Sequence, residues 1–241
     1  MSADQQVFPS VWARPQRERR DQPALSRDQI VAAAIELLDA DGIDALSMRK
    51  LGTRLNAGAT SMYSHVANKD ELLELVVDQV IGEIEVTAED PADWRAVVTQ
   101  TAYNMRSMFL RHPWIVSVLS EVGVIYLGPN MMRMSEGLLT VLEEAGFTLQ
   151  EADDATTTVV AFVVGMSTAE AAFLTMLAKS GQTEQEWADR LLPAAERAVQ
   201  AFPRLRQMYA TQRQQALEGV REDKFGNGLR CVLDGVQARR A

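Results

Sequence analysis

Residues 156–178, TTTVVAFVVGMSTAEAAFLTMLA, are the most constraining stretch of this 241-residue chain. Their length would span a bilayer. They nevertheless carry Glu170 with several threonines and a serine, and they lack the flanking Lys/Arg asymmetry of a membrane anchor. A helix this apolar around its circumference must be buried on most sides. In a chain of this length, an intramolecular core together with a subunit interface would supply that cover, so no membrane partner is expected. Gly165, Ala169 and Ala172 give part of the segment a small-residue surface suited to close packing.

The rest of the chain is punctuated into helical stretches, and nothing reads as a strand ladder. Segment 27–41 places Ile30, Ala34, Leu37 and Leu38 on one face at helical spacing. Ser26 with Gln29 makes a capping-box signal at its start, and Gly42 follows its end. Short helices are predicted at 47–55 and 59–65, and a longer one at 69–85 behind Asn68 and Glu71. Asp90-Pro91 is expected to open a helix to about 110, because Pro fits the first helical position. His112-Pro113 breaks it, and Gly128-Pro129 opens another that ends at Ala145-Gly146. Thr148 with Glu151 starts the long apolar helix, which lasts to Ser180-Gly181. Thr183 with Glu186 starts one interrupted at Pro193, and the last two segments cover roughly 204–219 and 225–239. The expected class is all-α. The expected domains are an arm at 1–24, a head at 25–85 and a helical body at 86–241.

Composition removes several kinds of chemistry. One cysteine excludes a disulfide framework and a thiolate metal cluster. Two histidines, His65 and His112, leave little for a zinc site or a histidine-centred triad, and neither sits in the Glu-x-x-His pairs of a di-iron bundle. Phosphate loop and nucleophile elbow are also missing. We therefore expect neither an enzyme nor a bound cofactor or metal. Residues 1–24 are polar and do not read as a signal peptide, so the expected compartment is the cytoplasm.

Charge is informative by position. The chain carries a net −9, yet residues 1–70 are balanced and the whole deficit lies after them. The arm holds Arg14, Arg17, Arg19 and Arg20 against Glu18, and 45–69 holds Arg49, Lys50, Arg54 and Lys69 with no carboxylate. Two basic patches on an otherwise acidic chain fit either a solvated surface or a local polyanion contact.

Segment 45–69, ALSMRKLGTRLNAGATSMYSHVANK, narrows the choice. Met48, Leu51 and Leu55 form the inner face of a short helix, Asn56-Ala57-Gly58 turns the chain, and a second short helix follows. Two short helices joined this way and packed on a first amphipathic helix make a helix-turn-helix unit. The second begins Ala59-Thr60-Ser61, small residues that let its end approach base edges, with hydroxyls that bond to bases or phosphates. Tyr63 and His65 lie further along, within reach of flanking phosphates. Lys69 opens the next helix, where a cation opposes the helix dipole unless an anion docks there.

The run Leu51-Gly52-x-x-Leu55, then Met62-Tyr63-x-His65-Val66-x-x-Lys69-x-x-Leu72-Leu73, resembles the TetR-family repressor signature. The resemblance covers about 25–85. It implies a recognition helix containing Thr60, Ser61 and Tyr63, backbone contacts from Tyr63, His65 and Lys69, and an arm laid against the adjacent groove. Asn56 stands where the family usually has Gly, and Gly58 where a capping Ser or Thr is common. Asn tolerates the left-handed conformation of such a turn. The DNA-contact candidates are thus Arg17, Arg49, Ala59, Thr60, Ser61, Tyr63, His65 and Lys69.

The chain's end, Phe225-Gly226-x-Gly228-Leu229-x-x-x-Leu233-Asp234-Gly235-Val236, resembles the last helix of the tetracycline-repressor branch. In that branch the long helix and the last helix form a four-helix bundle across a twofold axis. The resemblance therefore implies a homodimer reading a palindromic operator on double-stranded DNA, with Gly165, Ala169, Ala172, Phe225, Leu229 and Leu233 at the interface. It also implies a ligand-responsive regulator, most simply a repressor released by a small-molecule inducer that moves the fourth helix. Met105, Met108, Phe109, His112, Trp114, Met131, Met134, Phe162 and Met166 lie in segments that surround a cavity in this family, and such side chains make adaptable apolar walls. Magnesium-tetracycline itself is not expected, since no histidine lies between 66 and 111. The competing reading, a helical adaptor for protein partners, explains the apolar helix but leaves Tyr63, His65 and Lys69 without a role.

Overall fold

The computed structural model describes residues 25–87, 93–122, 128–212 and 217–239; the arm at 1–24, Arg17 included, lies outside them. Among the described residues every regular element is helical. The chain packs as two compact units, one ending at Ala152 and the other Asp153–Ala241.

Local signals fix most helix ends in the first unit. Helix α1 (Arg27–Asp41) opens on the expected capping box: the Gln29 N–H donates to Ser26 Oγ at 3.1 Å, and the Ser26 N–H donates back to Gln29 Oε1 at 2.9 Å. A single 3-10 turn, Ile43–Ala45, leads to α2 (Met48–Arg54), capped by Ser47. Then follow α3 (Ala59–His65) and α4 (Lys69–Ile81), the latter capped by Asn68 through the Glu71 N–H. Leu37, Leu38, Leu51, Met62, Val66 and Leu72 are buried together at 2% exposure or less. Each such side chain contributes about 1.5–3 kcal/mol by leaving water. Helix α1 packs on both α2 and α4, and α2 on α3.

Behind this head, α5 (Trp94–Arg111), α6 (Ile115–Val122) and α7 (Pro129–Glu144) pack against α4. Helix α4 stops at Ile81, four residues before its expected end, with Gly82 as its cap. The Asp90-Pro91 start lies outside the described residues, and α5 is instead capped by Asp93, which accepts the Arg95 and Ala96 N–H groups. Helix α6 was not foreseen, because only His112-Pro113 before it reads as a signal.

One side chain organises the junction of α4 and α7. Asp78 is 4% exposed and serves as the N-terminal cap that α7 lacks in its own sequence. Its Oδ1 accepts the Asn130 and Met131 N–H groups at 3.1 Å each, while Asn130 Nδ2 donates back to the Asp78 carbonyl at 2.9 Å. Gly128 makes this approach possible, since a Cβ there would lie inside the Asp78 carboxylate and 2.8 Å from Asp78 Cβ. Burial raises the Asp78 pKa above the ordinary 3.8, outweighing the opposing bonds from Met131 and Asn130.

Helix α8 (Leu149–Ser180) begins at the end of the first unit and runs through the second, with α9 (Glu184–Ala198), α10 (Pro203–Gln212) and α11 (Leu217–Gln237) after it. The Thr183–Glu186 capping box is present. Pro193 does not interrupt α9. Proline removes one N–H donor there, and the carbonyl it would have served belongs to exposed Asp189, where water can satisfy it. The final segments also differ from expectation. Helix α11 begins by Leu217, ahead of the expected 225, and Gly219 sits inside it with open space around it, while 213–216 lie outside the described residues. Gly228 on α11 faces the Phe162 ring of α8, where a Cβ would come within 2.8 Å. Arg221 bonds Glu184 of α9 and Glu170 of α8 and stacks over Phe173, tying three helices together. Glu184 first, then Glu170, hold its guanidinium charged, above its ordinary range.

Candidate nucleic-acid interface

The reading surface is built by the inward side of α3. Met62 and Val66 are fully buried, which turns Tyr63 and Ser64 outward; Tyr63 is 52% exposed, the largest aromatic surface on the head. Ser61, His65 and Lys69 are half-buried beside them. The turn before α3 adopts the conformation its sequence demands, with Asn56 at φ +49°. Gly58 supplies no side-chain cap, so the first N–H groups of α3 have no side chain from position 58 closing them off.

The basic patch is smaller than its sequence spacing suggests. Lys50 pairs with Asp41 and Arg54 with Glu36, each at 2.7 Å, both carboxylates coming from α1. The Lys50 bond holds the Asp41 carboxyl below its ordinary value. Among the described residues, Arg49 and Lys69 have no carboxylate partner. Arg49 is exposed on α2, so these two cations remain available to an anion. Lys69 does not stand alone in its turn, because Asp70 and Glu71 follow it and supply the usual acidic complement to the helix dipole.

The pocket candidates divide between the units. In the first, Met105, Met108, Phe109, His112, Trp114 and Met134 are buried and Met131 is half-buried. His112 and Trp114 have their polar atoms engaged: both His112 ring nitrogens meet carboxylates, of Asp39 and Glu83, and the Trp114 indole N–H donates to Asp39. No ring nitrogen of His112 is left to orient a ligand. In the second unit Phe162 and Met166 are half-buried, and the Phe162 ring lies 5.5 Å from that of Phe225. Among the described residues no cluster of histidine, cysteine and carboxylate side chains is arranged to hold a metal.

The interface candidates also divide. Gly165, Ala169 and Ala172 are exposed on one face of α8, although only 22% of its most apolar 18-residue window is buried within the chain. Phe225, Leu229 and Leu233 are buried at 1–2% exposure within the single chain. Asp78, Gly128 and the carboxylates that pair with α2 were missed, because each acts on a residue distant in sequence.

Comparison with known proteins agrees with this geometry. Residues 30–76 match the family described as bacterial regulatory proteins, tetR family, and residues 87–240 match the tetracyclin repressor-like C-terminal domain. The chain is 40% identical to an HTH-type transcriptional regulator of Saccharopolyspora erythraea over 161 residues, 67% of each chain. It is 30% identical to the HTH-type transcriptional repressor DrrR1 of Streptomyces coeruleorubidus, over 94% of this chain and 83% of that one. Among solved structures, the Streptomyces coelicolor TetR family protein ActR in complex with actinorhodin superposes with a TM-score of 0.75 at 30% identity, covering 91% of this chain and 99% of that one. The exposed tyrosine on a short helix, Arg49 and Lys69 without a carboxylate partner among the described residues, and both family matches lead to one conclusion: this chain belongs to the TetR family of DNA-binding transcriptional regulators.

Proposed function

We propose that the protein is a homodimeric repressor that reads a palindromic operator and leaves it when a small molecule binds. The observation that carries this reading is Tyr63, held outward on α3 by buried Met62 and Val66, with Arg49 and Lys69 on the neighbouring helices having no carboxylate partner among the described residues. On this reading Tyr63, His65, Arg49 and Lys69 engage phosphates, while Ala59, Thr60 and Ser61 meet base edges. Arg17 and the rest of the arm track the adjacent groove.

The uncovered face of α8 supports dimerisation. Gly165, Ala169 and Ala172 recur at spacings of four and three, the pattern that lets two helices approach closely. A second copy is the symmetric partner that fits. The inducer reading draws on the actinorhodin complex of ActR: the chain's inducer is a polycyclic ligand, and Met105, Phe109, Met131 and Met134 provide the apolar wall for it in the first unit. The protein works in the bacterial cytoplasm and performs no catalysis.

Selection from random duplex DNA at near-physiological salt tests the central claim. Enrichment of one palindrome establishes site-specific dimeric binding and supplies an operator, whose release by actinorhodin is then assayed. With folded protein and no ligand carried through purification, failure to enrich any motif refutes it and favours the adaptor reading.

A further inference from the structure

His112 is 3% exposed, yet it touches two carboxylates. Its Nδ1 lies 2.7 Å from Asp39 Oδ1 and its Nε2 lies 3.2 Å from Glu83 Oε1. The same Asp39 oxygen accepts the Trp114 indole N–H at 2.6 Å, and Arg111 pairs with the other oxygen of Glu83. Asp39 stands in the last turn of α1, Glu83 lies two residues past α4, and His112 is the C-terminal cap of α5. The cluster therefore grips the head through α1, in addition to the continuous chain that enters it through α4.

An imidazole can donate from both nitrogens only when both carry a proton. A singly protonated ring donates one bond and turns a lone pair on the other carboxylate. Imidazole is also the side chain that ordinarily changes charge between about pH 5 and 8. Among the described residues, the groups facing His112 are Asp39 from α1, Glu83 from the segment after α4, Arg111 of α5 through its pair with Glu83, and the Trp114 ring at 5.8 Å.

We propose that the His112 cluster is a proton-dependent tether that holds the reading head in one orientation, and that operator recognition loosens when His112 loses a proton. The proposal rests on the dimeric, palindrome-reading function above. A palindrome requires two heads at a fixed separation, so a loosened head must be ordered on binding. A single half-site makes no such demand. The ratio of affinities for the full operator and a half-site duplex therefore isolates the tether from contacts of a single head, such as those proposed for His65, which serve both duplexes alike.

The experiment measures that ratio at about pH 6 and pH 8, using the palindrome enriched from random DNA and one half of it. In the unaltered protein the ratio should fall by about tenfold to a hundredfold, the scale of one lost charge-assisted bond. His65→Gln should keep that fall. His112→Gln should abolish it. Glu83→Gln should abolish it while retaining the low-pH ratio, because an amide accepts from the protonated ring and donates to the neutral one. Should His112→Gln fail to fold, Glu83→Gln decides alone. A ratio that does not change with pH, or one that falls equally in Glu83→Gln, overturns the tether and leaves the operator reading intact. Failure to enrich any palindrome removes both.

Discussion

Replacing Gly128 with alanine puts a methyl group where the Asp78 carboxylate lies. The carboxylate cannot stay, and with it go the bonds from the Asn130 and Met131 N–H groups that close the start of α7. Hydrogen bonds to a charged acceptor are each worth about 1.5–3 kcal/mol. Partial recapture by water makes a net loss of roughly 3 kcal/mol reasonable against a typical total of about 5–15. For a chain of this length that is a fall in Tm of roughly 6–12 °C. Urea unfolding followed by tryptophan fluorescence would measure it, since Trp94 and Trp114 both lie in the first unit. The stricter check is the combination Gly128→Ala with Asp78→Ala, which removes the displaced carboxylate as well as its bonds. Its cost should fall well short of the two single costs added together. Strict additivity, or a Gly128→Ala variant within about 0.5 kcal/mol of the starting protein, would refute the claim that this glycine exists to admit Asp78.

Asp78 also predicts a pH dependence. Its folded pKa lies above the ordinary 3.8, so ionising it costs more in the folded chain: the extra stability that comes with its proton is full below that value and is lost as pH rises through the raised one, while the bonds to the charged carboxylate remain; Asp78→Asn should flatten the corresponding segment of the stability–pH curve. Lys69→Ala and Arg49→Ala should each weaken binding to specific and random DNA alike and reduce the salt slope by about one per protomer, whereas Ser61→Ala should change which operators are preferred. Ser167→Ala should stabilise the free protein by about 1 kcal/mol in thermal melts, because its fully buried hydroxyl has no hydrogen-bond partner among the described residues. Asn56→Gly should be neutral or stabilising by up to about 1 kcal/mol, relieving a positive φ in a non-glycine residue.

What the sequence revealed was local. The bounds of α1, the start of α9 and the end of α7 follow from side chains three or four positions away, and those signals act whatever the surroundings. The helix-turn-helix was legible for a related reason: the spacing of Tyr63, His65 and Lys69 on two consecutive helices is itself the family motif. The polar contacts that assemble the head were hidden. Glu36 and Asp41 neutralise Arg54 and Lys50 across 18 and 9 positions, so a stretch that reads as uniformly basic offers fewer free cations. Asp78 caps a helix that begins about fifty positions later, and His112, read as a ligand group or a helix break, is a junction between helices far apart in the chain. Pro193 misled because a breaker signal is only a bias, overridden when the neighbouring carbonyl stays in water.

The exposed face of α8 makes the protein's thermal behaviour a property of the solution as well as of the chain. An apolar helix with an exposed small-residue face gains further burial when that face associates, so mass action then enters the melting curve. Tenfold dilution should lower the transition temperature, and operator occupancy should rise more steeply than linearly with protein concentration below the dissociation constant of the pair. A cell that makes few copies would then respond to modest changes in synthesis as sharply as to the inducer.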